Sequence, residues 1–180
     1  MSTLRCRCSA VKIKLSLGRP LWRLECCCHD CTLALWYVNK YRNAPALPPH
    51  QLLDGLWVPN DFEVVSGLDE IGSYKNFESG DTTRFYCRKC WTCMMADHPA
   101  YGQRLVLTQN LGFTEYEGIS GVELFPPRSR HFLKDLNTEK REKLPNFEGS
   151  PDVIYEGISS NFMNAMDEVL KGEATGAMNL

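Results

Sequence analysis

Apolar and polar residues alternate along much of the chain. Val11, Ile13 and Leu15 are separated by Lys12 and Lys14 within residues 4–17. That period of two predicts one strand with a single buried face. Gly18, Arg19 and Pro20 form a turn, and "LWRLEC" at 21–26 predicts a second strand ending in a cysteine cluster. "TLALWYV" at 32–38 is apolar throughout and predicts a short helical turn leading into a strand. Residues 41–55 carry Pro45, Pro48 and Pro49. Proline lacks an amide donor, so this stretch predicts a surface loop, an insertion. Residues 56–67 resume the strand pattern around a turn at Pro59, Asn60 and Asp61. Residues 71–87 predict a hairpin with Ser79, Gly80 and Asp81 at its turn. Residues 104–113 predict one more strand. Short strands at turn-punctuated spacing predict a mainly β domain.

The end of the chain reads differently. Residues 134–145 are polar and predict exposure. "SSNFMNAMDEVLKG" at 159–172 sets Phe162, Met163, Met166, Val169 and Leu170 on one helical stripe, with a serine N-cap and Gly172 as the stop. The expected division is a β domain over 1–150 and a tail over 151–180 bearing this amphipathic helix. The stripe is expected to dock on the protein's own sheet, while a protein partner is an alternative use. "YEGIS" occurs at 116–120 and again at 155–159, too short a match to establish a repeat.

Composition narrows the function classes. The 180 residues suffice for one domain with a core. A formal net charge of −2 and a pI of about 6.1 provide no basic surplus for nucleic acid or an anionic membrane. No apolar run reaches the ~20 residues of a spanning helix, and "MSTLRCRC" lacks the apolar region of a secretory signal. The expectation is an intracellular, cytoplasmic protein with reduced thiols.

Nine cysteines change the picture. They cluster as Cys6 and Cys8, then Cys26, Cys27, Cys28 and Cys31, then Cys87, Cys90 and Cys93. In a reducing compartment such clusters point to metal before disulfides, and an odd total agrees. Zinc takes four tetrahedral ligands, often two from each of two short spacings. Two schemes stay open on spacing. Cys28 and Cys31 pair with Cys87 and Cys90, across an interval of 55 residues that is long for a zinc ribbon. Alternatively Cys6 and Cys8 pair with Cys87 and Cys90, leaving Cys26, Cys28 and Cys31 as a separate set. In an extended chain Cys26 and Cys28 point the same way and Cys27 points away. Three ligands and one open position are the arrangement of a catalytic zinc.

The motifs "RCRCSAVKIKL", "CCCHDC", "VPNDFEVVSG" and "RFYCRKCWT", followed by "PPRSRHFLKD" at 126–135, resemble the family of the glutathione-dependent formaldehyde-activating enzyme and centromere protein V. The resemblance runs over residues 4–148. It implies an Mss4-like, mainly β fold stabilised by zinc, with two zinc ions per chain. By position Cys6, Cys8, Cys87 and Cys90 match the structural zinc, and Cys26, Cys28 and Cys31 match the catalytic one. The implied activity is that of a carbon–sulfur lyase, joining glutathione and formaldehyde as S-hydroxymethylglutathione. The chain departs from the family pattern at Cys27, where a histidine is common, and at Ser9 and Trp91, where glycine is usual. The alternative reading is a non-catalytic, zinc-stabilised binding or scaffold subunit of a larger assembly, recruited through the insertion or the C-terminal helix.

The remaining candidates have plainer roles. Cys27 and Cys93 are expected as buried thiols. His29 is either an exposed neighbour of the cluster or a support for it, and Asp30 is a second candidate proton carrier. His98 is given no role, His50 is expected in solvent, and His131 is expected to hydrogen-bond within the fold. Trp22, Trp36, Trp57 and Trp91 are expected in the core, and Trp36 follows the cluster closely enough to line a pocket as an alternative.

Overall fold

The computed structural model describes residues 2–43, 52–109, 118–120, 125–147, 149 and 151–174. The protein is mainly β, with three α-helices among the described residues. None of these helices is long and apolar enough to cross a membrane.

The first predicted strand is in fact two. β1 (Ser2–Arg5) and β2 (Lys12–Leu15) pair antiparallel, with Leu4 opposite Ile13. The chain reverses between them because Cys6 and Ser9 make a tight knuckle: Ser9 N donates to Cys6 O at 2.9 Å, and Cys6 N donates to Val11 O at 3.1 Å. β3 (Trp22–Cys26) matches its prediction.

Residues 32–38 are helix throughout, within α1 (His29–Arg42), and no strand follows there. Thr32, Trp36, Tyr37 and Val38 have strand propensity, but the ends decide. Cys28 is an extended N-cap accepting from Cys31 N, Asp30 lies in the first turn, Lys40 and Arg42 lie in the last, and Asn43 closes the helix in the left-handed region at φ 51°. The predicted loop at 41–55 is corrected at both ends. Residues 41–42 are helical, and residues 53–55 open β4 (Leu53–Pro59). Residues 44–51, with His50, lie outside the described residues.

β4 and β5 (Phe62–Ser66) flank the predicted turn at 60–61. β6 (Ile71–Tyr74) and β7 (Thr83–Cys87) form the predicted hairpin, Tyr74 opposite Arg84. β8 (Cys93–Asp97) and β9 (Leu105–Gln109) follow; residues 110–113 of the last predicted strand are outside the described set. β10 (Gly118–Ser120), β11 (Ser129–His131) and β12 (Asp152–Val153) complete the strands. The polar stretch 134–145 contains α2 (Thr138–Glu142), and α3 (Ser160–Lys171) matches the predicted C-terminal helix. The second "GIS" of the repeated pentapeptide lies in an irregular segment with Gly157 at φ 90°, whereas the first is β10, so the two copies do not share a structure.

The strands form a four-stranded sheet, β10-β1-β2-β5, and an eight-stranded sheet, β12-β11-β3-β4-β9-β8-β7-β6. Period-two alternation gives the large sheet two apolar faces. Val58, Met95 and Val106 pack with Leu4, Ile13 and Leu15 of the small sheet. Their neighbours Trp57, Ala96, Leu105 and Leu107 face the other way and pack with Leu35 of α1 and with Phe162 and Met166 of α3. Phe162 is fully buried, its ring 5.9 Å from that of Trp22 and 5.5 Å from that of Trp57. The predicted stripe thus docks on the protein's own sheet, except that Met163 is exposed.

Candidate metal centres and an adjoining cavity

The nine cysteines form no disulfide. Seven of them fall into two groups whose sulfurs lie within 4.8 Å of one another: Cys6, Cys8, Cys87 and Cys90, and separately Cys26, Cys28 and Cys31. The scheme that pairs Cys28 and Cys31 with Cys87 and Cys90 is not the one the fold brings together.

The four-thiol group joins two similar knuckles. Cys8 Sγ is 3.6 Å from Cys6 Sγ and 3.7 Å from Cys87 Sγ, a contact across 79 residues of chain. Val11 N donates to Cys6 Sγ at 3.2 Å. In the second knuckle, Cys87 N donates to Thr92 O at 3.0 Å, and Trp91 N donates to Cys87 O at 2.8 Å. Ser9 has φ 59° and Trp91 has φ 58°. Both occupy the left-handed region that glycine enters freely, the physical reason a knuckle favours glycine at these positions. Trp91 is retained at a cost in backbone strain while its ring stacks on Tyr86 at 4.3 Å and lies under the Arg42 guanidinium at 4.6 Å. It is a surface clamp between α1 and the second knuckle. The expectation of a core tryptophan is corrected there.

The three-thiol group is built where β3 hands over to α1. Cys26 ends the strand, Cys28 caps the helix, and Cys31 lies in its first turn. Cys27 points the other way, fully buried against Leu52 and Leu136, and that burial pushes its thiol up to about 12. Cys93 is buried in the core and belongs to neither group. Hydrogen bonds from the Cys26 and Cys31 thiols hold Cys28 down at about 3, and the bond to Cys28 holds Cys26 well above the ordinary thiol range. In the other group, Cys6 plays the same part toward Cys90, held down at about 3. Each cluster thus gathers charge on one sulfur and protons on its neighbours. A bound cation resolves that competition, because a coordinating thiol is deprotonated outright. Both donor sets therefore fit a metal ion.

α1 is fixed beneath its thiols by Asp30. Arg84 Nη2 donates to Asp30 Oδ2 at 2.6 Å, and Asn76 Nδ2 donates to Asp30 Oδ1 and O, both at 2.7 Å. Asp30 is engaged in this ion pair and is not a free proton carrier. His29 is exposed, its backbone N donating to Asp135 Oδ2 at 2.9 Å.

The two groups differ in what they face. Cys26, Cys28 and Cys31 line a cavity of about 510 Å³, and none of the four-thiol group does so. Its apolar walls include Leu53, Trp57, Tyr101, Leu107, Phe132 and Phe162, and its polar lining includes Arg84, Asp97, His98, Gln109 and His131. Trp57, not Trp36, lines it; Trp36 is 40% exposed on the outer side of α1, under Lys40. His131 is buried, accepting from Ser159 N at 3.3 Å through Nε2, and burial lowers it to about 4, so it is a neutral structural acceptor at neutral pH. His98 caps the short turn Pro99–Tyr101 by accepting from Ala100 N at 3.1 Å.

Arg84, Asp97, Tyr101 and Phe162 were not legible as site residues. One signal did exist for Arg84. It occupies a buried strand position next to Phe85, and a buried arginine needs a carboxylate partner.

The fold and these two donor sets define a mainly β protein with two thiol groups able to hold metal ions, one of four thiols that joins two knuckles and includes the exposed Cys8, and one of three that faces a cavity. No family model matches the chain, and no curated protein matches it. Among solved structures it is similar to a crystal structure of a Rhodobacter sphaeroides protein, a Northeast Structural Genomics target. The identity is 18% and the TM-score 0.44, over 64% of this chain and 88% of that one.

Proposed function

We propose that this chain is a zinc-dependent carbon–sulfur lyase, forming and cleaving adducts between a thiol and an aldehyde. The reading follows the resemblance to the glutathione-dependent formaldehyde-activating family. The observation that carries it is that Cys26, Cys28 and Cys31 line the cavity while Cys6, Cys8, Cys87 and Cys90 do not. Cys26, Cys28 and Cys31 would hold the zinc, which would supply the acidity that turns a substrate thiol into its thiolate. Cys6, Cys8, Cys87 and Cys90 hold a second, structural zinc that contributes folding energy.

The chain's own residues prepare the rest of the site. Trp57, Tyr101 and Phe162 keep bulk water from the reacting carbon. Arg84 lines the cavity with its guanidinium committed to Asp30 at 2.6 Å, which holds the first turn of α1 in place. Asp97 lines the cavity as well, and burial raises its carboxyl from the ordinary value. In the forward direction a sulfur–carbon bond forms, the carbonyl π bond breaks, and the thiol proton ends on the former carbonyl oxygen. No oxidant is consumed.

The test is zinc per chain in the purified, reduced protein, followed by turnover of hydroxymethyl-thiol adducts by wild type and Cys28→Ser. The reading expects two zinc ions in wild type and one in the variant, with turnover lost. Unchanged turnover in Cys28→Ser would reject it.

A further inference from the structure

α3 closes one wall of the cavity through Phe162. Two of its features bear on what it accepts. The first is its shape. The rings of Trp57 and Tyr101 are 4.5 Å apart and those of Trp57 and Phe162 are 5.5 Å apart, so the floor is a continuous aromatic wedge. At about 510 Å³ the cavity falls in the range of a small-molecule site.

The second is charge. Among the described lining residues are three aspartates, Asp30, Asp81 and Asp97, against one arginine, and there is no lysine. That arginine is already answered, since Arg84 pairs with Asp30 at 2.6 Å and its side chain is only 3% exposed. A ligand carboxylate entering here meets no uncommitted cation and must shed its water beside like charges, which is costly. Three thiolates on a divalent ion add one further formal negative charge.

We infer that this cavity selects substrates with an apolar body of aromatic size and no net negative charge, and discriminates against anionic peptide thiols such as glutathione. The inference rests on the lyase reading for the thiol, but selection by the cavity walls is independent of it.

The experiment is isothermal titration of the metal-loaded full chain with benzyl mercaptan, benzyl alcohol and glutathione. It is repeated on Ala100→Trp, an exposed position on the turn Pro99–Tyr101 at the cavity lining. Benzyl mercaptan is expected to bind at least about tenfold tighter than glutathione, the factor that burying one phenyl ring supports. Ala100→Trp is expected to weaken it by about tenfold with metal content unchanged. Glutathione binding as tightly as benzyl mercaptan would overturn the inference, as would full affinity in Ala100→Trp. If benzyl alcohol binds as well as benzyl mercaptan, and both exceed glutathione, the apolar selection stands and the thiol reading fails.

Discussion

One ion pair ties the first turn of α1 to β7 beside the three-thiol group. Arg84 is buried, and among the described residues Asp30 is its one carboxylate partner at hydrogen-bond distance. Removing the carboxylate leaves an uncompensated guanidinium in the core, which costs about 3 kcal/mol or more. Asp30→Ala is therefore expected to lower stability by that order in urea unfolding, whereas exposed pairs such as Lys143–Glu139 contribute little. A loss below about 0.5 kcal/mol would show that Arg84 finds other partners. The sequence placed Asp30 beside the cluster but left its role open, because its partners Arg84 and Asn76 are 54 and 46 residues away. Local spacing identifies thiols, whose chemistry is evident from type. It does not identify a carboxylate whose role depends on what a distant strand brings to it.

At the scale of elements, the ends decided what the middles left ambiguous. Residues 32–38 have the composition of a strand, yet the N-cap and the Asn43 stop make them helix. Cys28 has two duties there, as a cap and as one of three clustered sulfurs. Serine is itself a strong N-cap, so Cys28→Ser separates the duties and removes a sulfur while keeping α1. The four-thiol knuckle has a comparable dependence on Gly67. This residue sits at φ 78°, and a Cβ there would lie 2.1 Å from Ala10 O, between the two cysteines and Val11 of the knuckle and the turn after β5. Gly67→Ala must move backbone that holds Cys6 and Cys8. It is expected to cost more than about 1 kcal/mol, which lowers Tm by roughly 2–4 °C per kcal/mol in a chain of this size. It is also expected to loosen one metal equivalent toward a chelator. Wild-type Tm and metal retention together would show that the knuckle tolerates the shift.

Over the whole molecule, the large sheet is covered on one face by the small sheet and on the other by α1 and α3. The strand pattern made the β class legible, and the apolar stripe made α3 legible. Neither showed that α3 would cross back to β3 and β4, because a stripe says that a helix is covered and not by what. That crossing makes Phe162 both a core residue and a cavity wall. Phe162→Ala is expected to lower stability by about 3–5 kcal/mol. It is also expected to weaken benzyl mercaptan binding in whatever fraction stays folded, while the four-thiol group keeps its ion. Loss of both ions with the fold intact would contradict this division.

The two thiol groups also differ in when they can exist. Cys26, Cys28 and Cys31 are neighbours in the chain, while Cys8 waits for Cys87, 79 residues on. Closing a loop of that length has a larger entropic cost than closing a few residues, and it requires the intervening strands. A growing or refolding chain therefore presents one complete set of three sulfurs long before the other set is assembled. We expect the first ion captured to sit at the local triplet, leaving the four-thiol site to be filled as the sheets join. Refolding with half an equivalent of cobalt, read by thiolate absorption in wild type and Cys28→Ser, would reveal the order; equal early signals in both would reverse it. In such a chain, metal supply does more than complete a finished protein: it sets the sequence of its assembly.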